Sequence, residues 1–194
     1  MDSVTITVTN RKTGDTYKAR SYPDDDKDND GVIEFYSTPV YFIDIKSKAG
    51  TKTWKAVRFM PYWNDPAAPD PGYRARGFLN SGLHKFPKQA VSLYLPNYPI
   101  HNRYSPHKGA IQIRNNFLVH AGPSNLSDIG WGSAGCVEVI GDFGQFKRDI
   151  RNLAGINAAT TEDAALSNLV RNKKLFIELE YDTPPIFLNH RVSP

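Results

Sequence analysis

Apolar and polar positions alternate with a period of two through most of the first sixty residues, which is typical of β-strands with one buried face. Residues 4–9 alternate strictly between aliphatic residues and threonine. Gly14 lies in the polar run 12–15 and predicts a turn that folds the next strand back as a hairpin. We therefore predict strands over residues 4–9, 16–22, 32–36, 40–45 and 54–60, with breaks at Pro39 and at residues 49–50.

The pattern changes in the middle of the chain, where five prolines between positions 61 and 87 favour a long ordered loop over regular structure. A further strand is predicted over residues 91–95. Residues 110–114 and 117–122 then flank Asn115 and Asn116. Because asparagine tolerates the positive φ of a tight turn, these two segments predict a hairpin, with His120 near the end of its second strand.

Helical spacing replaces strand spacing after residue 141. Apolar residues recur every three or four positions over residues 143–153, with Asp142 as the predicted N-cap and Gly155 as the residue that ends the helix. A second helix is predicted over residues 162–172, followed by a strand over residues 175–181. The remaining tail is expected to be an extended wrap or disordered.

Length and composition favour one domain with a sizeable core. The chain has 194 residues, of which 40% are hydrophobic and 23% are charged. We predict a mainly β (α+β) fold that forms a single domain over residues 1–194. Within it, residues 1–90 form a β-rich N-terminal part with the proline-rich loop, residues 91–182 form a core that carries the candidate chemistry, and residues 183–194 form a tail.

The distribution of charged and apolar residues limits the classes of partner that we expect the protein to bind. A net charge of +4 favours an anionic partner. The basic residues are scattered, and no zinc-ligand set or phosphate-binding loop accompanies them, so nucleic acid is not an expected partner. No stretch approaches the ~20 apolar residues that a membrane span needs. The first residues also lack the basic and apolar regions of a signal peptide, so we expect no cleavable export signal.

Cys136 is the candidate nucleophile. It is the only cysteine of the chain, so an internal disulfide is excluded, and His120 precedes it by sixteen positions. An imidazole can lower the pKa of a thiol and shuttle its proton to a leaving group. The small residues 132–135 form a turn whose backbone N–H groups can hold the oxyanion of a tetrahedral intermediate.

The order of these residues resembles the L,D-transpeptidase (YkuD-like) family. The resemblance is carried by His120-Ala121-Gly122, Ile129-Gly130 and the run from Ser133 to Val137, followed by a helix. It covers residues 110–155 and implies an L,D-transpeptidase-like β-sandwich or barrel with two helices after the active-site turn. It also implies that Cys136 is the nucleophile, His120 the general base and Ser133 the serine of the family signature. Gly135 would let the backbone turn, and the histidine would be oriented by a backbone carbonyl.

Two positions depart from the family pattern. Ala134 stands where the family has a second histidine, and Glu138 stands where it has an arginine near the substrate. We expect Glu138 to be a solvated strand residue or a selector of a cationic substrate group. The family also places a tyrosine hydroxyl near the oxyanion, which favours Tyr104, with Tyr98 as the alternative. Tyr104, Ala134 and Gly135 are therefore the predicted substrate-binding and oxyanion residues.

The resemblance implies a cysteine acyl-enzyme that acts on peptidoglycan stem peptides, by transpeptidation or by carboxypeptidase cleavage, with no cofactor required. Peptidoglycan or muropeptides would be its partners. Effectors of type VI secretion and phage-associated proteins with this likeness commonly lack a signal peptide. We therefore expect a cytoplasmic protein that reaches the periplasm or cell wall by a non-classical route, with an immunity protein as a further candidate partner. The alternatives are a non-catalytic cell-wall-binding or structural module and a cysteine protease that acts on proteins.

An acidic run outside this motif suggests a calcium site. Asp26, Asp28 and Asp30, followed by a glycine, match the first half of an EF-hand loop. Ser37 stands where that loop needs a bidentate glutamate, and strands are predicted on both sides. The sequence leaves two alternatives open, a structural calcium ion and a solvated acidic loop without metal.

Overall fold

A computed structural model describes residues 1–20, 31–59, 84–98, 108–115, 117–130, 136–185 and 191–192. The described chain is mainly β, with two helices. The strands are β1 (Val4–Arg20), β2 (Phe35–Ser47), β3 (Gly50–Val57), β4 (Phe86–Ala90), β5 (Tyr94–Leu95), β6 (Ala110–Arg114), β7 (Phe117–Ala121), β8 (Val137–Ile140), β9 (Leu175–Leu179) and β10 (Arg191–Val192), and the helices are α1 (Phe143–Leu153) and α2 (Glu162–Arg171).

The strands form one mixed sheet in the order β4-β9-β1-β2-β3-β8-β7-β6-β5, and β10 pairs with β2. Most neighbours are antiparallel, but β1 with β9 and β7 with β8 are parallel. The two ends of the path are different strands, so the described sheet is open. Because β3 pairs with β8, the N-terminal strands and the strand that follows Cys136 belong to the same sheet.

The predicted N-terminal hairpin is wrong. Residues 4–20 form one 17-residue strand, and β2 pairs with it along nearly its whole length. The polar run around Gly14 lies where the pairing register of β1 with β2 shifts, between Val8 and Thr16. Gly14 has a φ of 90°, which glycine adopts without steric cost. An irregularity of this kind bends a strand without reversing it, and turn chemistry alone does not distinguish the two outcomes.

Each face of the sheet carries its own apolar cluster. The larger cluster packs both helices against strand residues such as Val119 and Val137. The smaller cluster lies on the opposite face, because strand neighbours alternate between faces. It consists of Tyr17, Ala19, Val40, Val57 and Ile140, with Leu126 packed against it.

The elements after residue 108 agree with the sequence. Asn115 has a φ of 51° in the β6–β7 turn. The side chain of Asp142 caps α1 by accepting a hydrogen bond of 2.9 Å from the Gln145 N–H, and Gly155 follows the helix with a φ of 67°. Within the described residues, no helix is long and apolar enough to cross a membrane.

Two other segments differ from the prediction. The strand predicted over residues 91–95 is replaced by β4 and the short β5. Pro87 lies in β4, which forms one end of the sheet, and an edge strand tolerates a residue without an N–H. In the tail, Arg191 and Val192 pair with β2, so this part of it is an extended wrap.

Candidate functional site

The parallel pairing of β7 with β8 brings the candidate histidine and cysteine strands side by side. His120 pairs in register with Glu138, and Val119 pairs with Val137. Cys136 precedes Val137 directly and lies two positions before Glu138. Because strand side chains in register point to the same face, Glu138 and His120 share the face opposite the helices. The Cys136 thiol lies close enough to Glu138 for the carboxylate to influence its pKa. We call the face that carries His120 and Glu138 the Cys136 face.

The His120 ring is held by the backbone of its own strand. His120 is 3% exposed, and its Nδ1 lies 2.8 Å from the carbonyl oxygen of Ala121. A carbonyl only accepts hydrogen bonds, so Nδ1 carries the hydrogen of the neutral ring and donates it. In this tautomer the lone pair lies on Nε2. Orientation by a backbone carbonyl is the arrangement that the resemblance implies.

Tyr98 lies beside the histidine. The centroids of the Tyr98 and His120 rings are 6.2 Å apart, at an interplanar angle of 41°. Burial raises the pKa of the Tyr98 hydroxyl, and the neighbouring Cys136 thiolate adds to the effect. Tyr98 is therefore a described tyrosine near both members of the pair. Tyr104, the favoured oxyanion tyrosine, lies outside the described residues.

The Cys136 thiol is partly buried, and this environment favours its protonated form. Burial raises the pKa of Cys136 to about 11, and the Glu138 carboxylate contributes in the same direction. A hydrogen bond with the backbone of Leu118 opposes the increase. At neutral pH the thiol is protonated in this structure, so the expected lowered pKa is not present. A nucleophilic role then requires proton transfer to a base during the reaction.

Glu138 is not the solvated residue that the sequence suggested. It is partly buried in the sheet, and burial raises the pKa of its carboxyl to about 8. None of the ion pairs or hydrogen bonds between described residues involves this carboxyl. A hydrophobic environment explains the difference, because Glu138 pairs with Val57 of the smaller apolar cluster. Its position on β8 was readable from the sequence, but the strand that covers it comes from eighty residues earlier.

The glycine that follows His120-Ala121 has a packing role. A Cβ on Gly122 would lie 2.7 Å from the Glu138 Cβ and 3.0 Å from the Val139 carbonyl oxygen. These contacts are closer than side chains tolerate. Gly122 also donates a hydrogen bond of 2.8 Å to Val139, so its close approach to β8 is fixed. This glycine allows Glu138 to lie beside the histidine strand.

Tyr17 of β1 supports the segment between the two strands. A Cβ on Gly130 would lie 2.8 Å from the Tyr17 hydroxyl oxygen. Burial raises the pKa of Tyr17 strongly, with further contributions from the carboxylates of Glu138 and Asp128. Arg20 donates a backbone hydrogen bond of 2.7 Å to Gly130. The end of β1 thus holds the connection that leads to Cys136, and sequence analysis missed this role because β1 was read as a hairpin.

Several predicted site residues lie outside the described residues: Ser133, Ala134 and Gly135 at the turn, Tyr104 in the preceding loop, and Asp26, Asp28 and Asp30 in the acidic run. Of the predicted catalytic residues, the structure describes His120 on β7 and Cys136 directly before the neighbouring strand β8, with Tyr98 near both. Within the described ranges, no group of three or more histidine, cysteine or acidic side chains is arranged to hold a metal ion.

Chemically, the described site offers a thiol, an imidazole with its lone pair on Nε2, a phenol and a carboxyl. This set is suited to nucleophilic acyl transfer with general base assistance. Comparison with known proteins adds no relative, since no protein family model, curated protein or solved structure matches the chain. The likeness to L,D-transpeptidases therefore rests on the motif residues.

Proposed function

We propose that this protein is a cysteine-dependent L,D-transpeptidase or L,D-carboxypeptidase that acts on peptidoglycan stem peptides. One observation supports the proposal above the others. His120 lies on β7 with its lone pair on Nε2, Cys136 directly precedes the neighbouring parallel strand β8, and Tyr98 lies near both residues. The proposal includes an L,D-transpeptidase-like arrangement of the mixed sheet and delivery to the periplasm or cell wall without a cleavable signal.

The reaction begins with the neutral thiol. Nε2 of His120 accepts the proton from the Cys136 sulfur as the sulfur attacks the carbonyl carbon next to diaminopimelate or lysine. The tetrahedral intermediate collapses when the C–N bond breaks and the imidazolium returns its proton to the amine of D-alanine. A thioester acyl-enzyme remains. An amine acceptor then gives a cross-link, whereas water gives a trimmed stem.

Proton transfer in the transition state fits the raised pKa of the thiol. A preformed thiolate–imidazolium pair requires a thiol pKa near or below that of histidine. With a thiol pKa of about 11, the neutral pair is the resting state. The Tyr98 hydroxyl, protonated at neutral pH, is a candidate donor to the oxyanion at the same place.

The test is incubation of the protein with purified muropeptides, followed by mass spectrometry. We expect loss of D-alanine from tetrapeptide stems, or exchange of D-alanine for an added D-amino acid. Cys136→Ala should abolish both reactions, and His120→Gln should reduce them by roughly 10²-fold or more. Unchanged stems together with cleaved proteins would identify a cysteine protease instead.

A non-catalytic cell-wall-binding module is the second candidate, and the protonated, partly buried thiol favours it. In that case Cys136 is a small core residue. The two candidates differ in a binding measurement. A binding module would retain peptidoglycan in a pull-down and would leave every stem intact, and its Cys136→Ala variant would bind equally well. Turnover that depends on Cys136 contradicts this candidate.

A further inference from the structure

We propose that Glu138 receives the side-chain ammonium of the donor residue whose carbonyl Cys136 attacks, and that it thereby selects stems with a cationic third residue. This inference rests on the proposed function and deepens it. It assigns a substrate-recognition role to Glu138, a position at which the sequence departs from the family pattern. It is based on the location of the Glu138 carboxyl and on the groups around it.

The spacing on β8 matches the substrate. Cys136 directly precedes β8 and Glu138 is the second residue of β8, so the two are two positions apart, which corresponds to roughly 6.6 Å along an extended chain. A lysine-type side chain carries its ammonium at the end of a four-carbon stem, which spans a comparable distance. A donor residue whose carbonyl carbon is at the Cys136 sulfur can therefore place its ammonium at the Glu138 carboxyl.

Among the described residues, the Glu138 carboxyl has no partner of the kind that the Glu162 carboxyl has. No cation or hydrogen-bond donor among the described residues contacts it, although buried charges are usually paired. By contrast, the partly buried Glu162 accepts a hydrogen bond of 3.3 Å from Arg151. Glu138 retains some exposure on the Cys136 face, so a ligand can reach it. A ligand cation would supply the missing partner.

The charges near Glu138 make it selective for a cation. Among the described residues, Glu138 interacts electrostatically with the Cys136 thiol and the Tyr17 hydroxyl, and the Asp128 carboxylate acts on the same Tyr17 hydroxyl. None of these three groups carries a positive charge. His120, in register on β7, is the neighbouring base. An anionic substrate group would meet a negative or neutral environment here, whereas an ammonium would form a charge-assisted hydrogen bond.

A positioning role toward His120 is the competing explanation, and it makes a different prediction. A carboxylate that stabilised the imidazolium would change the rate for every substrate by the same factor. A carboxylate that binds ammonium changes the preference between a charged substrate and its neutral analogue. The ratio between two matched peptides therefore separates the two roles.

The experiment compares two stem tetrapeptides that differ only at the third residue, which is lysine in one and Nε-acetyl-lysine in the other. Binding is measured by calorimetry with Cys136→Ala, and D-alanine release is measured with the wild-type protein. We expect Cys136→Ala to bind the lysine peptide about tenfold more tightly. Adding Glu138→Gln should bring the two dissociation constants to within about twofold. Glu178→Gln, a change on the distant strand β9, is the matched control and should leave the ratio unchanged.

The pH dependence adds an independent signature. Glu138 must lose its proton to pair with the ammonium, so affinity for the lysine peptide should increase as the pH rises toward about 8. It should decrease again when the lysine amine deprotonates near pH 10. The acetylated peptide and the Glu138→Gln background should lack the rising limb.

The outcomes separate the inference from the proposed function. Absence of D-alanine release from either peptide by the wild-type protein overturns the proposed function. Equal binding of the two peptides by Cys136→Ala, or no detectable binding of either, overturns the inference. A preference that survives Glu138→Gln also overturns it, because the ammonium would then be recognised by another group.

Discussion

Two regions on opposite faces of the sheet bury a charged group, and they differ in how they surround it. On the helix side, Lys147 of α1 is 8% exposed and donates hydrogen bonds to Asp163 (2.7 Å) and to the Lys108 carbonyl (3.1 Å). Tyr94 donates a short hydrogen bond to the same Asp163 carboxylate. On the Cys136 face, Glu138 has no such partner among the described residues.

The difference lies in whether the fold itself supplies partners to the buried group. The helix-side charge ties α1 to α2 and to β5, and its partners satisfy it within the fold. Burying the Glu138 charge without a partner costs free energy, and the protein responds by a raised pKa. Groups whose pKa is perturbed in this way, beside a thiol such as Cys136, are typical of functional sites. The following four predictions test this comparison, from the largest expected effect to the smallest.

Arg58 is a second buried cation with hydrogen-bond acceptors in the fold, and its replacement gives the largest expected effect. It is 3% exposed and donates hydrogen bonds to the carbonyls of Glu180 (2.6 Å) and His84 (3.0 Å). Arg58→Met should reduce the free energy of unfolding by about 3 kcal/mol, because buried carbonyls lose their donor. Urea denaturation measures the change. The exposed Arg11, which pairs with Asp44, is the control, and Arg11→Met should cost less than about 1 kcal/mol. Equal losses would contradict the comparison.

Glu138→Gln should act in the opposite direction. Because the folded protein raises the pKa of Glu138 from 4.5 to about 8, the folded state binds this proton more tightly than the unfolded chain does. The resulting stabilisation is complete below pH 4.5 and is lost as the pH rises through 8. At pH 9 the variant should be more stable than wild type by about 2 kcal/mol, less than the full shift implies because the side chain retains some exposure.

The measurement for Glu138 is the free energy of unfolding at pH 5 and at pH 9, with Glu178→Gln as the control. The difference between wild type and Glu138→Gln should grow with pH, and that for the control should not. A constant difference across this range would mean that the carboxyl is satisfied in the folded protein.

Lys147→Met should cost less than the arginine change. Its partner Asp163 is 47% exposed and regains water when the cation is removed. We therefore expect a loss of about 1–2 kcal/mol in urea denaturation. Lys55→Met removes a pair whose side chains are 46% and 40% exposed, and it should cost less than about 0.5 kcal/mol. If Lys147→Met cost as little as Lys55→Met, the buried Lys147 pair would stabilise the fold no more than an exposed pair does. That result would contradict the comparison with Glu138.

The smallest effect concerns the thiol itself. The rate at which iodoacetamide alkylates Cys136 should increase with pH and reach half of its maximum near pH 11. Because the Glu138 carboxylate repels the thiolate, Glu138→Gln should lower that midpoint by less than about one pH unit. An unchanged midpoint would show that the Glu138 carboxyl is too distant to affect the Cys136 thiol. Cysteine in solution, measured in parallel, fixes the reference for the reagent.

The sequence was most informative where structure is set by near neighbours. The α1 cap at Asp142 and the β6–β7 turn at Asn115 depend on residues within a few positions, and both predictions are confirmed. The strand β1 was misread because its continuity depends on pairing with β2, which begins fifteen residues after β1 ends. A glycine in a short polar run, such as Gly14, occurs both in hairpin turns and in strand irregularities, so the local sequence does not distinguish the two.

In the candidate site too, the predictable features are those set by residues close in sequence. His120 and Cys136 were found as a pair because their spacing and neighbours form a motif in the sequence. The environment of Glu138 was not predictable, since it is set by Val57 of β3 and by Tyr17 at the end of β1. Tyr98, the alternative to Tyr104 in the sequence, lies beside the His120 ring, whereas Tyr104 lies outside the described residues.

The parallel pairing of β7 with β8 has a consequence for how such a chain can change over evolution. Neighbouring parallel strands need a connection of a dozen or more residues, and residues 122–136 provide it between Ala121 and Val137. The interval between histidine and cysteine is thus close to a topological minimum. Insertions there cost little, because the entropy of closing a loop grows slowly with its length. Deletions would separate the strands, so distant relatives should tolerate a longer interval and avoid a shorter one.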